Sequence, residues 1–322
     1  MKMKLIIKIL ILSVICIHYL CFAVNEKQQV VISTVGSSVT AGIIGYSQDE
    51  VDDFINYGVF TRFKKRLRYF TNYLYTESSI ADKLTTRTIN YTDKIKIINS
   101  FNAFNESNKT YFYYIKLPNV LALHLYQLIN APLFYLMLQI NHALGNNANV
   151  ILGIDMFFWI IYSKTTDEFT TETLDVSEHK KIKTLKKLLD FLNNNCNSKI
   201  NFILGNIPKV CFSAHGSNYA PEPAIIDYAN DILQEWVISR NNSDKAKVVL
   251  IDITQVYKTA KTDNKPFNLH KDMPAYTRND ILSIDDLHLC IKGIDILLTY
   301  IAKNLKDSNI EIFQKLGACI DN

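Results

Sequence analysis

The chain has 322 residues, of which 48% are hydrophobic and 20% charged. That ordinary globular balance excludes a disordered tail, a collagen-like chain and a low-complexity array. The formal charge of +4 is concentrated at the start: Lys2, Lys4 and Lys8 stand in residues 1–23 without an acid, leaving 32 of the 35 lysines and arginines against 31 acidic residues. So nearly neutral a body gives no reason to expect a nucleic-acid partner. The run Lys64-Lys65-Arg66-Leu67-Arg68 reads as the wet face of a helix.

The N-terminus reads as an export signal. Three lysines precede the apolar run Ile9–Ile17, a polar break falls at His18, and Cys21-Phe22-Ala23 puts small residues where a signal peptidase inspects them. Cleavage is expected near Ala23, with residues 24–322 forming one domain outside the cytoplasm, periplasmic or secreted. Leu5 to Ala23 is nearly long enough to span a bilayer, so an uncleaved anchor is the alternative, and the membrane is expected as a partner only through that segment. Export leaves Cys196, Cys211, Cys290 and Cys319, among which the sequence does not choose a pairing. Cys290 is expected to be a packed, free thiol at the start of a helix. The spacing of cysteines and histidines suggests no structural zinc site, and neither a metal nor a cofactor is expected.

In chain order, Gln29–Val35 is a β-branched run ending in Gly36, the pattern of a buried strand. Residues from about Glu50 to Tyr73 have helical apolar spacing. Lys94–Ile98 reads as a second strand. Leu121–Leu144 is very apolar, but it contains His124, Gln127, Asn130, Gln139 and Asn141 and is divided by Pro132. It therefore reads as two buried helices rather than a membrane span. Asn149–Gly153, Ile200–Gly205 and Lys247–Ile251 are further strands. Helical patterns lie at about 176–194 and 223–239, and a last helix at about Ile291–Leu305. Strands alternating with helices predict an α/β fold: a three-layer α/β/α sandwich around a parallel sheet of about five strands, in flavodoxin-like order.

In such a sheet, chemistry belongs at the carboxyl ends of the strands. Directly after the first strand comes Gly36-Ser37-Ser38-Val39-Thr40-Ala41-Gly42, whose flanking glycines permit a sharp turn into a helix and place Ser38 at the edge. A phosphate loop would need Lys-Ser/Thr after the last glycine, where Ile43-Ile44 stand, and Gly45 is misplaced for a dinucleotide fingerprint. Near the other end, Asp285-Asp286-Leu287-His288 sets a carboxylate three residues before an imidazole, close enough to bond one ring nitrogen and leave the other for a serine. The remaining histidines outside the signal, His124, His142, His179, His215 and His270, read as packing or surface residues.

Together these features resemble the SGNH/GDSL hydrolase family. Ser38 matches the nucleophile of the first block, with Ser37 where aspartate is usual, and Asp285 and His288 match the last block. Gly153-Ile154-Asp155 resembles the third block. With Met156-Phe157-Phe158-Trp159 it is similar to the Asp-x-Phe-Phe-Trp variant of some exported bacterial members, and Leu204-Gly205-Asn206-Ile207-Pro208 fits the same subgroup. The resemblance covers residues 28–306. It implies a serine esterase with Ser38, His288 and Asp285 as catalytic residues, acting on a small-molecule, polysaccharide or lipid ester.

The chain departs from the family pattern in its oxyanion hole, which the resemblance assigns to Ser38 and the third-block position. That position holds Asp155 instead of asparagine, and an ionised carboxylate accepts hydrogen bonds without donating them. No glycine stands between Gly58 and Gly145 to supply the second-block donor, so the backbone of Ser100 or Asn102 is the substitute. Phe157, Phe158 and Trp159 read either as an acyl pocket or as aromatic core. The alternative to an esterase is therefore an SGNH-like protein that binds a carbohydrate or a partner in the same cleft without turnover.

Overall fold

The β-branched runs of the sequence pair side by side into one central sheet, each between connections that carry helices. The computed structural model describes residues 29–36, 43–45, 73–75, 79–100, 131–162, 175–196, 200–209, 221–243, 246–258, 265–282 and 288–321. The export segment, Ser38, Asp285, Cys211, the basic run at 64–68 and residues 50–72 of the helix expected from about Glu50 to Tyr73 lie outside them.

Five strands, β1 (Val30–Thr34), β4 (Ile95–Asn99), β5 (Val150–Gly153), β6 (Asn201–Gly205) and β7 (Val248–Ile251), form the sheet in the order β4-β1-β5-β6-β7. Every pairing is parallel, with registers such as Ile32 opposite Ile97 and Val150, and Leu204 opposite Leu250. The central strand β5, Val-Ile-Leu-Gly, is buried throughout, whereas the edge strand β4 is buried only at Ile95. A strand covered on both faces has no use for polar alternation, so its sequence is a continuous apolar run. Two short antiparallel pairs stand apart: β2 (Ile43–Gly45) with β3 (Tyr73–Tyr75), and β8 (Phe267–Asn268) with β9 (Ala275–Tyr276). Tyr73, the expected end of a helix, is thus the first residue of a strand.

The helices are α1 (Ile80–Arg87), α2 (Pro132–Gly145), α3 (Phe158–Tyr162), α4 (Lys180–Asn195), α5 (Pro223–Asn241), α6 (Thr254–Lys258), α7 (Arg278–Ile281), α8 (Ile291–Asp307) and α9 (Glu311–Ile320). Helices α1, α8 and α9 pack on one another, and α2 and α5 each pack on α4, so the sheet is flanked by two helical layers and the fold is the expected α/β sandwich. Pro132 opens α2 at its first turn, where its missing N–H costs nothing. No helix among the described residues is long and apolar enough to cross a membrane. The helix at 291 is not the last. Helix α9 follows it, burying Phe313, Leu316, Gly317 and Ile320 along one face.

A buried cation closes the layer between α4 and α5. Arg240 is 2% exposed, lies over the Phe202 and Trp236 rings, and donates to the Cys196 carbonyl at the end of α4 and to Asn193 Oδ1. The unpaired carbonyls of a helix C-terminus favour a cation there. Burial pushes the Cys196 thiol up to about 11, with Arg240 pulling it partly back, so it stays protonated. Among the described residues, Cys196, Cys290 and Cys319 enter no disulfide. Arg240→Ala is expected to cost about 3 kcal/mol in urea unfolding, because it opens a cavity and strands the Cys196 carbonyl. Arg240→Lys should recover little, since an ammonium lacks the planar fork.

Candidate active site

The strand order reverses between β1 and β5, which opens a crevice beyond their carboxyl ends. At β1, the Val35 N–H donates to the Leu152 carbonyl at 2.9 Å, and the next residue, Gly36, is held by a side chain of α2. The Gly36 N–H donates to Gln139 Oε1 at 2.8 Å and Gln139 Nε2 donates to the Gly36 carbonyl at 3.0 Å. Ser37 to Gly42, the rest of the nucleophile block of the sequence, follow outside the described residues.

Beyond β5 the chain turns through Ile154 and Asp155. The Met156 N–H returns to the Gly153 carbonyl at 3.4 Å, and the Phe158 N–H to the Asp155 carbonyl at 3.2 Å. Asp155 is 7% exposed. This turn is pressed from below by β6, because a Cβ on Gly205 would stand 2.0 Å from the Ile154 carbonyl oxygen. Phe157, Phe158 and Trp159 belong to the core cluster. Phe158 stacks on Tyr162 at 4.3 Å and meets Trp159 edge-on, and the Tyr162 hydroxyl donates to the Pro208 carbonyl. Of the two expectations for these aromatics, packing describes them.

At the end of β4, Ser100 is fully buried, with its Oγ 2.5 Å from Ser33 Oγ and 3.0 Å from His142 Nδ1. His142 Nε2 lies 3.2 Å from the Asn146 amide nitrogen, a donor, so Nε2 accepts and the Nδ1–H is directed at Ser100. His142 is therefore part of a polar relay, which its isolated place in an apolar stretch did not announce. His179 caps α4 by accepting from the Lys181 N–H, and His270 sits between Asp307 and the Asp272 N–H. Those two are structural, as the sequence suggests.

His288 reaches the same edge from the other layer. Asn99, the last residue of β4, donates to Ser79 Oγ at the N-cap of α1. Lys83 of α1 pairs with Asp295 of α8 at 2.8 Å, and Arg87, a turn later, bonds Thr299. The two helices thus run side by side in one direction, and α8 begins level with the carboxyl ends of the strands. His288, 5% exposed, lies just before it. The segment that bears Asp285 and His288 has its ends pinned together: Leu282 and Leu289 form an antiparallel bridge and the Cys290 N–H donates to the Ile281 carbonyl at 3.0 Å. Cys290 caps α8, its Sγ accepting from the Gly293 N–H, and Lys292 pairs with Asp280 beneath it.

A carboxylate the sequence reading passed over stands at the end of β7. Asp252 accepts from Asn206 Nδ2 at 2.7 Å, Gln255 Nε2 at 3.0 Å, the Thr254 N–H at 3.2 Å and the Thr254 hydroxyl. Burial alone would push its pKa up, but the hydrogen bonds from Thr254, Asn206 and Gln255 together bring it below the ordinary carboxylate range. A depressed carboxyl adds stability that is fully present above the unfolded pKa of about 4 and is lost as pH falls through the folded value. Asp252→Asn should thus be less stable than wild type at pH 7, with the gap closing towards pH 3 in urea titrations. Such saturation marks a tie between the loops after β6 and β7, not a reacting group.

Of the residues the sequence nominated, Asp155 and His288 stand buried at the carboxyl edge, while Ser38 and Asp285 lie in segments whose ends reach it. Fold and site together define a parallel α/β protein with flavodoxin-like strand order and polar groups gathered around its switch point. No protein-family model and no curated protein matches the chain. Among solved structures it is similar to a Clostridium thermocellum family 3 carbohydrate esterase, at 14% identity and a TM-score of 0.35, covering 90% of this chain and 100% of that one. A likeness of that size carries no conclusion about activity.

Proposed function

We propose that the chain is an exported serine esterase of the SGNH type. Ser38 attacks an ester carbonyl, His288 takes its proton, and Asp285 fixes the tautomer and stabilises the imidazolium. A water activated by His288 then hydrolyses the acyl-enzyme. What supports the reading most is the placement of His288: a buried imidazole between a pinned pair of chain ends, level with the strand ends where Gly36 delivers the chain two residues short of Ser38. The test is covalent labelling by a fluorophosphonate probe, with turnover of p-nitrophenyl acetate and butyrate, in the mature protein and in Ser38→Ala. Labelling confined to Ser38, with turnover above that background, is expected.

Asp155 favours the second reading, a carbohydrate- or partner-binding protein without turnover. A carboxylate in the third-block position supplies no hydrogen bond to an oxyanion, and losing one such donor typically costs ~10²–10³ in rate. Folded protein that neither labels nor hydrolyses would transfer the assignment to that reading.

A further inference from the structure

Helix α2 buries Pro132, Leu136, Ile140 and Ala143 along one face, and in the middle of that face stands Gln139, 3% exposed. A buried primary amide is costly unless both its donor and its acceptor are used. Here both are spent on one residue, since Oε1 takes the Gly36 N–H and Nε2 gives to the Gly36 carbonyl. Gly36 is the first residue of the nucleophile block, and among the described residues no sheet partner takes these two groups.

The same device recurs elsewhere in the fold. Asn230 grips both backbone groups of Ile207, and Asn241 grips both of Val248 at the amino end of β7. A side-chain amide offers a peptide both an acceptor and a donor, and carries no charge at any ordinary pH. What distinguishes Gln139 is its address, at the switch point, two residues before Ser38. One turn further along α2, His142 holds Ser100 at the end of the neighbouring strand.

We propose that Gln139 is a positioning residue for the nucleophile: its amide fixes Gly36, and with it the direction in which the chain leaves β1 two residues before Ser38. The proposal rests on the esterase reading above. A misplacement of about 1 Å in a reacting group is worth roughly 10²-fold in rate. Gln139→Met keeps the volume and removes both hydrogen bonds. It should lower the maximal rate of fluorophosphonate labelling by roughly 10²-fold while leaving the probe concentration for half-maximal rate within about threefold.

Gln139→Glu separates positioning from packing. The neutral acid can accept from the Gly36 N–H and donate to its carbonyl, whereas the carboxylate only accepts. The labelling rate of this variant, divided by that of wild type at each pH, should therefore rise as pH falls. Asn241→Ala is the control, because it breaks the same kind of grip at the opposite edge of the sheet. It should lower the urea midpoint and leave both labelling constants unchanged. Gln139→Met that stays folded and labels at the wild-type maximal rate overturns the proposal, as does a flat pH ratio in Gln139→Glu. If the wild-type protein does not label at all, the esterase reading fails, and hydrogen exchange of residues 33–42 judges Gln139 by itself. Faster exchange there in Gln139→Met but not in Asn241→Ala upholds the positioning role, and equal exchange in the two overturns it.

Discussion

His288→Ala is expected to lower ester turnover by about 10⁴- to 10⁶-fold, and Ser38→Ala/His288→Ala to be little worse, because nucleophile and base act as a unit. A serine hydroxyl is a weak nucleophile until a neighbouring base accepts its proton in the transition state. His288 is 5% exposed, so its removal also leaves a void, and the melting curve of the variant must accompany its kinetics. A cooperatively folded His288→Ala protein that retains a tenth of the wild-type rate would remove His288 from the mechanism.

Gly293→Ala should damage stability and catalysis together. A Cβ at this position would lie 2.0 Å from the Ile281 carbonyl oxygen and 2.8 Å from its carbon, backbone atoms that no rotamer change can move aside. That same carbonyl accepts the Cys290 N–H, and the Gly293 N–H is the one capped by Cys290 Sγ. Relief therefore requires the first turn of α8 to lift away from Ile281, carrying His288 with it. Overpacking of this kind costs about 2 kcal/mol, and a displaced base should reduce kcat by roughly 10²-fold with KM little altered. Gly145→Ala is the comparison, because a Cβ there meets nothing within 4 Å. Wild-type kcat in Gly293→Ala would show that the turn tolerates the shift, and that His288 is not aimed by it.

The five sheet strands were legible because each is a mainly apolar run too short for a helix and bounded by polar or turn-forming residues. Each begins one residue later than the sequence reading, while β1 ends one residue earlier and β4 one residue later. Helix α1 was passed over although its capping box, Ser79 with Asp82, is written in the sequence; its weakly apolar face concealed it. Helix α9 carries Phe313, Leu316 and Ile320 at helical spacing, a signal that was present and unread. At the carboxyl edge, His288 was nominated from its spacing to an acid. Gln139 and His142 were not noticed, because their partners lie 103 and 42 residues away and local pattern does not encode such pairs.

The amide grips at Gly36, Ile207 and Val248 bear on how such a chain changes over generations. Where loops lean on one another, a substitution in one loosens the next, and their sequences are bound to drift together. At these three positions the backbone beside a strand is fastened by a single side chain from the helical layer, so the neighbouring connection can lengthen, shorten or change composition while the sheet keeps its register. Descent under that arrangement preserves architecture and erases wording. Two lineages need share only the strands, the fastening amides and the few groups that react, and their loops can become strangers to each other.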